Sequence, residues 1–340
     1  MQDLNWSELP FGYVKTNYNV RCTFKNGKWG EIEVSDSEYM NIHIAATCLH
    51  YGQEAFEGLK AYRGKDGKVR LFRWDENCKR LQSSAEGIIM EKVDEDLFHK
   101  MLLKVIELNK DFIPPYGTGA SLYIRPLLIG TGAKVGVQPA DEYTIMIFVT
   151  PVGPYFKGGF KPTKIGIVRD SDRAAPLGTG TIKIGGNYAA SMKGTIKAHK
   201  AGCSSPMYLD CIERKYIDEI GAANFFGIKN NTYITPKSSS ILPSITNKSI
   251  EVLAKHLGYK VERRPVELAE LETFEEVGAC GTAAVISPIG EIIDLDSGKV
   301  YSFCPDGKAG PISTKLYQTL TGIQFGEIED PFNWTTILDI

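Results

Sequence analysis

The sequence predicts an α+β (mixed α/β) protein built as two domains. Three observations lead there. At 340 residues the chain exceeds what one hydrophobic core ordinarily supports. Strand-like and helix-like segments are interspersed without regular βαβ alternation. The stretch TPVGPYFKGGFKPTK is rich in Pro and Gly and carries no periodic apolar face, which marks a linker. The expected division is a small N-terminal domain over 1–150, a linker over 151–163 and a larger domain over 164–340.

In the first domain TFKNGKWGEIEV reads as a hairpin turning at Asn26-Gly27, and LKAYRGKDGKVRLFR as another turning at Asp66-Gly67. DENCKRLQSSAEG and DEDLFHKMLLKVIELNKD read as helices; in the second, Leu97, Met101, Val105 and Leu108 recur at helical spacing. SLYIRPLLIG and YTIMIFVTPVG read as strands, the latter buried. Past the linker, KIGIVRD is a strand, followed by a glycine-rich loop and a helix over NYAASMKGTIKAHKAG that ends near Gly202. PMYLDC, KYIDEIGAANFFGIKN and TYITP are short strands, SITNKSIEVLAKHLG is a helix, and KVERRPV, EEVGACG and AAVISPIG are further strands.

Composition removes several function classes. Hydrophobic content of 43% with 24% charged residues is that of a soluble globular protein. A net charge of −2 provides no basic footprint for nucleic acid or an acidic membrane surface. The 7 cysteines are scattered without a C-x-x-C pair, and none of the 5 histidines neighbours another histidine, so no metal site is expected. The first residues lack a basic and an apolar signal region, and no run reaches transmembrane length; a cytoplasmic location is expected.

The chemistry concentrates in LGTGTIKIGGNYAA, where Lys183 lies between glycines on both sides. A dinucleotide loop fails on the spacing of Gly178, Gly180 and Gly185, and a phosphate loop fails because Ile184 follows the lysine. The third reading is a reactive amine that condenses with a carbonyl, as in enzymes using pyridoxal 5'-phosphate (PLP). That reading makes further demands. A phosphate needs donors, and the helix beginning at Ser244 and Thr246 offers an N-terminus, although an ordinary N-cap looks the same. A pyridine nitrogen needs an acid. Glu219 shares a strand face with Ile217, and Asp218 is its rival. Thr282 in ACGTAAV is either one more donor or a site of close strand packing.

Six segments in order, HYGQEAFEG, LYIRPLLIGT, GPYFKGG, KIGGNYA, DEIGAANFF and ILPSIT, resemble the branched-chain amino-acid aminotransferases of PLP fold type IV, over almost the whole chain. The resemblance implies a large domain with a β-barrel-like core and a homodimer with shared active sites. It implies transamination of leucine, isoleucine and valine with 2-oxoglutarate by a ping-pong route. Lys183 would carry PLP and move the proton, Tyr188 would bond its phenolic oxygen, and Glu219 rather than Asp218 would pair with the ring nitrogen. Arg80, the N–H groups of Ile245 and Thr246, and the Thr282 hydroxyl would hold the phosphate. Phe11, Phe56, Tyr123 and Tyr155 would form an apolar substrate pocket, with Tyr51 and Val137 reaching in from the partner subunit. The α-carboxylate would meet the backbone near Ala283, and Arg125 would bind the second carboxylate of glutamate.

Three departures stand out. Animal members carry a C-x-x-C pair where this chain has Ala284 and Ser287, so thiol control of that kind is not expected. Ser244 stands where many members have Gly, and Gly221-Ala222-Ala223 replaces a segment that holds a threonine in some. The competing readings are a D-amino-acid aminotransferase or aminodeoxychorismate lyase, against which HYGQEAFEG and YIRP argue, and a non-catalytic PLP-binding protein, against which the presence of both Lys183 and Glu219 argues.

Overall fold

The computed structural model describes residues 4–156 and 159–340. Residues 157 and 158, inside the expected linker, lie outside the described residues. The chain divides into two units: Met1–Lys157 with Ile182–Gly185 and Gly322–Ile340, and Gly158–Thr181 with Gly186–Thr321.

The first unit contains β1 (Asn19–Lys25), β2 (Lys28–Trp29), β3 (Glu33–Ser35), β4 (Glu54–Phe56), β5 (Leu59–Arg63), β6 (Val69–Phe72), β7 (Ser121–Gly130) and β8 (Tyr143–Val152). They form an antiparallel sheet in the order β6-β5-β7-β8-β1-β2, with β4 beside β7 and β3 beside β1. Its helices are α1 (Thr47–Tyr51), α2 (Trp74–Gly87) and α3 (Glu95–Leu108). The core joins Leu81 and Ala85 of α2 and Phe98, Met101, Leu102 and Val105 of α3 to Leu59, Leu71, Ile124 and Ile147 of the sheet. The buried face of α3 is thus wider than the expected stripe; Leu97 and Leu108 sit at its margin. Asp94 starts the helix by accepting from the Leu97 N–H at 2.7 Å.

The second unit contains β9 (Thr163–Val168), β10 (Ser205–Leu209), β11 (Ile217–Ile220), β12 (Ala223–Lys229), β13 (Thr232–Pro236), β14 (Lys260–Arg264), β15 (Glu276–Gly281), β16 (Val285–Asp294) and β17 (Val300–Ser302). The strands β11-β10-β9-β16-β15-β12 follow one another, and the pairing of β11 with β12 closes them into a six-stranded barrel. Closure leaves those strands no unpaired edge. Ile165, Ile167, Met207, Phe225, Val277, Ile289 and Ile292 fill its core. Three helices accompany it, α4 (Gly185–Lys200), α5 (Ile245–His256) and α6 (Pro311–Gln324).

A last strand, β18 (Thr335–Leu338), returns to the first unit and pairs antiparallel with β6. The sequence reading kept everything from 164 to 340 in one domain. The edge of β6 is what draws the C-terminal segment back: the Arg73 N–H donates to the Trp334 carbonyl at 2.7 Å and the Phe72 and Trp334 rings meet edge-on. Among the described residues no helix is long and apolar enough to cross a membrane.

Candidate active site

Lys183 lies in the loop just before Gly185, and its neighbours Ile182 and Ile184 are buried in the core of the first unit. Its backbone is pinned on both sides. The Lys183 N–H donates to Ser84 Oγ on α2 at 2.9 Å, and the Lys183 carbonyl accepts from the Phe56 N–H at 3.1 Å. Two residues on, the Gly185 N–H donates to Glu54 Oε1. The lysine Nζ lies 4.6 Å from the Phe56 ring centre. Two glycines of the loop make close approaches to protein groups. A Cβ on Gly185 would fall 2.0 Å from Glu54 Oε1, and one on Gly180 would fall 2.4 Å from the Ser240 carbonyl oxygen. Burial pushes the Glu54 carboxyl up, against the opposing pull of the Gly185 N–H and the charge of Arg125.

A cavity of about 220 Å³ opens in the first unit, walled by Phe11, Tyr13, Tyr123, Phe148 and Val152, with Arg125 and Thr150 as its polar members. The long β7–β8 hairpin builds it. Tyr123 lies opposite Thr150 and Arg125 opposite Phe148, so all four share a face. Arg125 Nη2 donates to the Tyr123 hydroxyl at 2.9 Å, and its guanidinium stands 4.8 Å from the Phe56 ring and 5.2 Å from the Tyr123 ring. Its Nε is buried and has no acceptor among the described residues. Phe11 meets Tyr123 edge-on at 5.0 Å. Of the aromatic residues expected here, Phe11 and Tyr123 line the cavity and Phe56 flanks Arg125. Tyr155 is half exposed against Phe156 and does not line it. Tyr13, Phe148 and Thr150 escape the sequence reading. The β7–β8 register is the signal that finds the last two.

Tyr51 and Val137 lie on adjoining segments of the surface. The Tyr51 hydroxyl donates to the Val135 carbonyl, and the Lys134 N–H to the Ala45 carbonyl at 2.9 Å. Around them Ile44, Leu49, Val135 and Val137 are exposed, Ile44 at 89% and Val137 at 87%. That many bare aliphatic side chains on two touching segments is characteristic of a covered surface.

Arg80 lies on α2 with its Nε 2.7 Å from Glu57 Oε1 and its Nη2 2.8 Å from Glu57 Oε2. Glu57 is fully buried and also accepts from Asn77 Nδ2 at 2.7 Å. This side-on fork uses one edge of a planar guanidinium and fixes its plane. Nothing in local periodicity marks Glu57 as the partner.

In the second unit Glu219 is buried on β11, at the seam that closes the barrel. Its Oε1 accepts from Asn224 Nδ2 at 2.9 Å and from the Leu242 N–H at 3.0 Å, and its Oε2 pairs with Arg173 Nε at 2.5 Å. Asn224 in turn accepts from Asn247 Nδ2 at 3.1 Å, which ties the carboxylate to the first turn of α5. There Ser244 caps the helix by accepting from the Asn247 N–H, and the N–H groups of Ile245 and Thr246 belong to the turn that has no intrahelical acceptors. Asp218 is buried as well, so strand alternation cannot separate the two acids. It bonds Ser240 Oγ through Oδ2, its Oδ1 has no partner among the described residues, and burial pushes its carboxyl up. Tyr188 is in the first turn of α4, and Thr282 and Ala283 form the tight turn from β15 to β16, all partly buried. Among the described residues no group of three or more His, Cys, Asp or Glu is placed to hold a metal ion.

The family model for class IV amino-transferases matches residues 54–292. The chain is 47% identical to the branched-chain-amino-acid aminotransferase of Haemophilus influenzae, covering 98% of each sequence. Among solved structures it is similar to the branched-chain amino acid aminotransferase of Escherichia coli, with a TM-score of 0.78 and 30% identity over 94% of this chain and 99% of that one. It also shares its fold with the branched-chain amino acid aminotransferase of Thermobaculum terrenum in its PLP form, with a TM-score of 0.78 and 22% identity over 96% of this chain and 99% of that one.

Proposed function

The chain belongs to the class IV aminotransferases, in their branched-chain amino-acid family, and from that premise we propose that it transfers the amino group of L-leucine, L-isoleucine or L-valine to 2-oxoglutarate, with PLP as cofactor. The observation that carries the substrate reading is the cavity: apolar walls with one arginine at their edge. The walls suit a branched aliphatic side chain. The arginine suits the second carboxylate of glutamate, which an all-apolar pocket would reject because burying an unpaired charge is costly.

The donor set fits the cofactor. It contains an amine, a buried acid paired with a guanidinium, and the start of a helix tied to that acid. Bound PLP supplies an electron sink for the charge that develops at the substrate Cα. In this reading Lys183 secures the cofactor and carries the Cα proton at Nζ. Glu219 pairs with the ring nitrogen, and Tyr188 bonds the phenolic oxygen. Arg80, the N–H groups of Ile245 and Thr246, and the Thr282 hydroxyl take the phosphate, where helix N–H groups favour an anion. The N–H groups near Ala283 take the α-carboxylate. Phe11 and Tyr123 face the side chain with Phe56 beside them, and Arg125 reads the γ-carboxylate; Tyr155, outside this cavity, would have to turn toward the substrate to take part. The exposed apolar patch around Tyr51 and Val137 supports a homodimer in which each subunit completes the other's pocket. A cytoplasmic location belongs to the same reading; all seven cysteines are free, in keeping with a reducing compartment.

The test is a half-reaction. The PLP-loaded protein, mixed with L-leucine and no acceptor, should release one equivalent of 2-oxo acid per subunit, and 2-oxoglutarate should restore it. Turnover of D-alanine with none of L-leucine would replace this reading by that of a D-amino-acid aminotransferase.

A further inference from the structure

We propose that Ser84 and Glu54 are positioning residues for Lys183, which fix the backbone on either side of its amine and so set where Nζ can reach. The inference rests on the proposed role of Lys183. A lysine side chain has four rotatable bonds, so its amine is delivered to one place only if its Cα is held. Three hydrogen bonds hold it. Ser84 Oγ, wholly buried on α2, accepts from the Lys183 N–H at 2.9 Å. The Phe56 N–H donates to the Lys183 carbonyl at 3.1 Å. Glu54 Oε1 accepts from the Gly185 N–H, and a Cβ at 185 would lie 2.0 Å from that oxygen, so a larger residue there would displace the Glu54 carboxylate.

The two elements that supply these bonds also supply the seat of Arg80. Ser84 follows Arg80 by four residues on α2, so both project from one helix face. Glu54 and Phe56 grip the lysine segment, and Glu57, the next residue, grips Arg80 through both carboxylate oxygens. One helix face and one four-residue stretch therefore fix the spacing between the amine and the guanidinium. Because Ile182 and Ile184 are buried on either side, the segment cannot slide without breaking core packing.

The experiment follows covalent capture of PLP by the full-length apoprotein. Borohydride reduction and peptide mapping report the lysine used, and absorbance reports the rate. Ser84→Ala and Glu54→Ala should each slow capture by about tenfold or more, the scale of a sub-ångström to ångström misplacement. Glu54→Gln should restore most of the rate, because its amide oxygen still accepts the Gly185 N–H. In a Lys183→Ala background, adding Ser84→Ala should leave the non-covalent affinity for PLP unchanged. Wild-type capture rates in both alanine variants would overturn the proposal, as would an equal loss of affinity without the lysine. Wild-type labelling at another lysine would instead remove the role of Lys183 on which the proposal stands.

Discussion

Glu219 meets three donors of the protein itself, and the charged one, Arg173, reaches it from the segment just before the glycine loop. A carboxylate so paired is the type of group that can keep a pyridine nitrogen protonated. Replacing Glu219 by Gln keeps the shape and removes the charge. We expect kcat to fall on the order of 10²-fold, about 2.7 kcal/mol in barrier; steady-state turnover of L-leucine measures it, and a near wild-type value would transfer the role to Asp218. Arg125 makes a different demand. A hydrogen bond to a charged group is worth roughly 1.5–3 kcal/mol, so Arg125→Met should raise KM for glutamate and 2-oxoglutarate by about tenfold to a hundredfold. KM for leucine should change much less, because the methionine still fills an apolar wall. Equal losses for leucine and glutamate would show that Arg125 supports the fold.

Helix α6 begins at Pro311, where a missing N–H costs nothing, but the next two amides need acceptors. Glu276 of β15 supplies both: its Oε1 accepts from the Ile312 N–H at 2.9 Å and its Oε2 from the Ser313 N–H at 2.8 Å. The carboxylate also sits at the positive end of the helix. Glu276→Gln replaces one acceptor by a donor that faces an N–H group. The expected loss is about 1–3 kcal/mol of stability, read as a lower urea midpoint at unchanged slope. This cap joins a helix to the barrel by a single side chain, so an equal loss is not expected from exposed carboxylates such as Glu329.

For the molecule as a whole, the buried cation Lys60 adds a pH dependence. It lies on β5 opposite Tyr123, and burial alone pushes its ammonium down to about 8. An unfolded lysine titrates near 10.4, so between about pH 8 and 10.4 the unfolded chain binds more protons than the folded one. Stability therefore gains a rising contribution across that window, while below it both states are charged and the burial cost is fully present. Lys60→Met removes the titration. The stability of the wild type relative to this variant should rise from about pH 7 to about pH 10, measured by denaturant unfolding at both values; a constant difference would show that Lys60 keeps an ordinary affinity for its proton.

Much of this protein is visible in its local patterns. The turns at Asn26-Gly27 and Asp66-Gly67, the apolar runs of β7 and β8, the capped start of α5 and the lysine among glycines all depend on neighbours a few residues apart. The family and its activity were legible for the same reason, since six short motifs in order suffice for the resemblance. The remainder depends on surfaces that meet only after the chain has closed. Ser84 and Lys183 are 99 residues apart, and no periodicity records that one accepts from the other. Nor does the run of glycines record that Glu54 approaches Gly185 and the Ser240 carbonyl approaches Gly180. The fork between Glu57 and Arg80, the closing of β11 on β12 and the return of β18 to β6 are likewise absent from the one-dimensional pattern. Local sequence sets which conformations each segment can adopt; which buried acceptor a given N–H finds is set by water exclusion across the assembled core, where leaving it unpaired would cost about 1–3 kcal/mol.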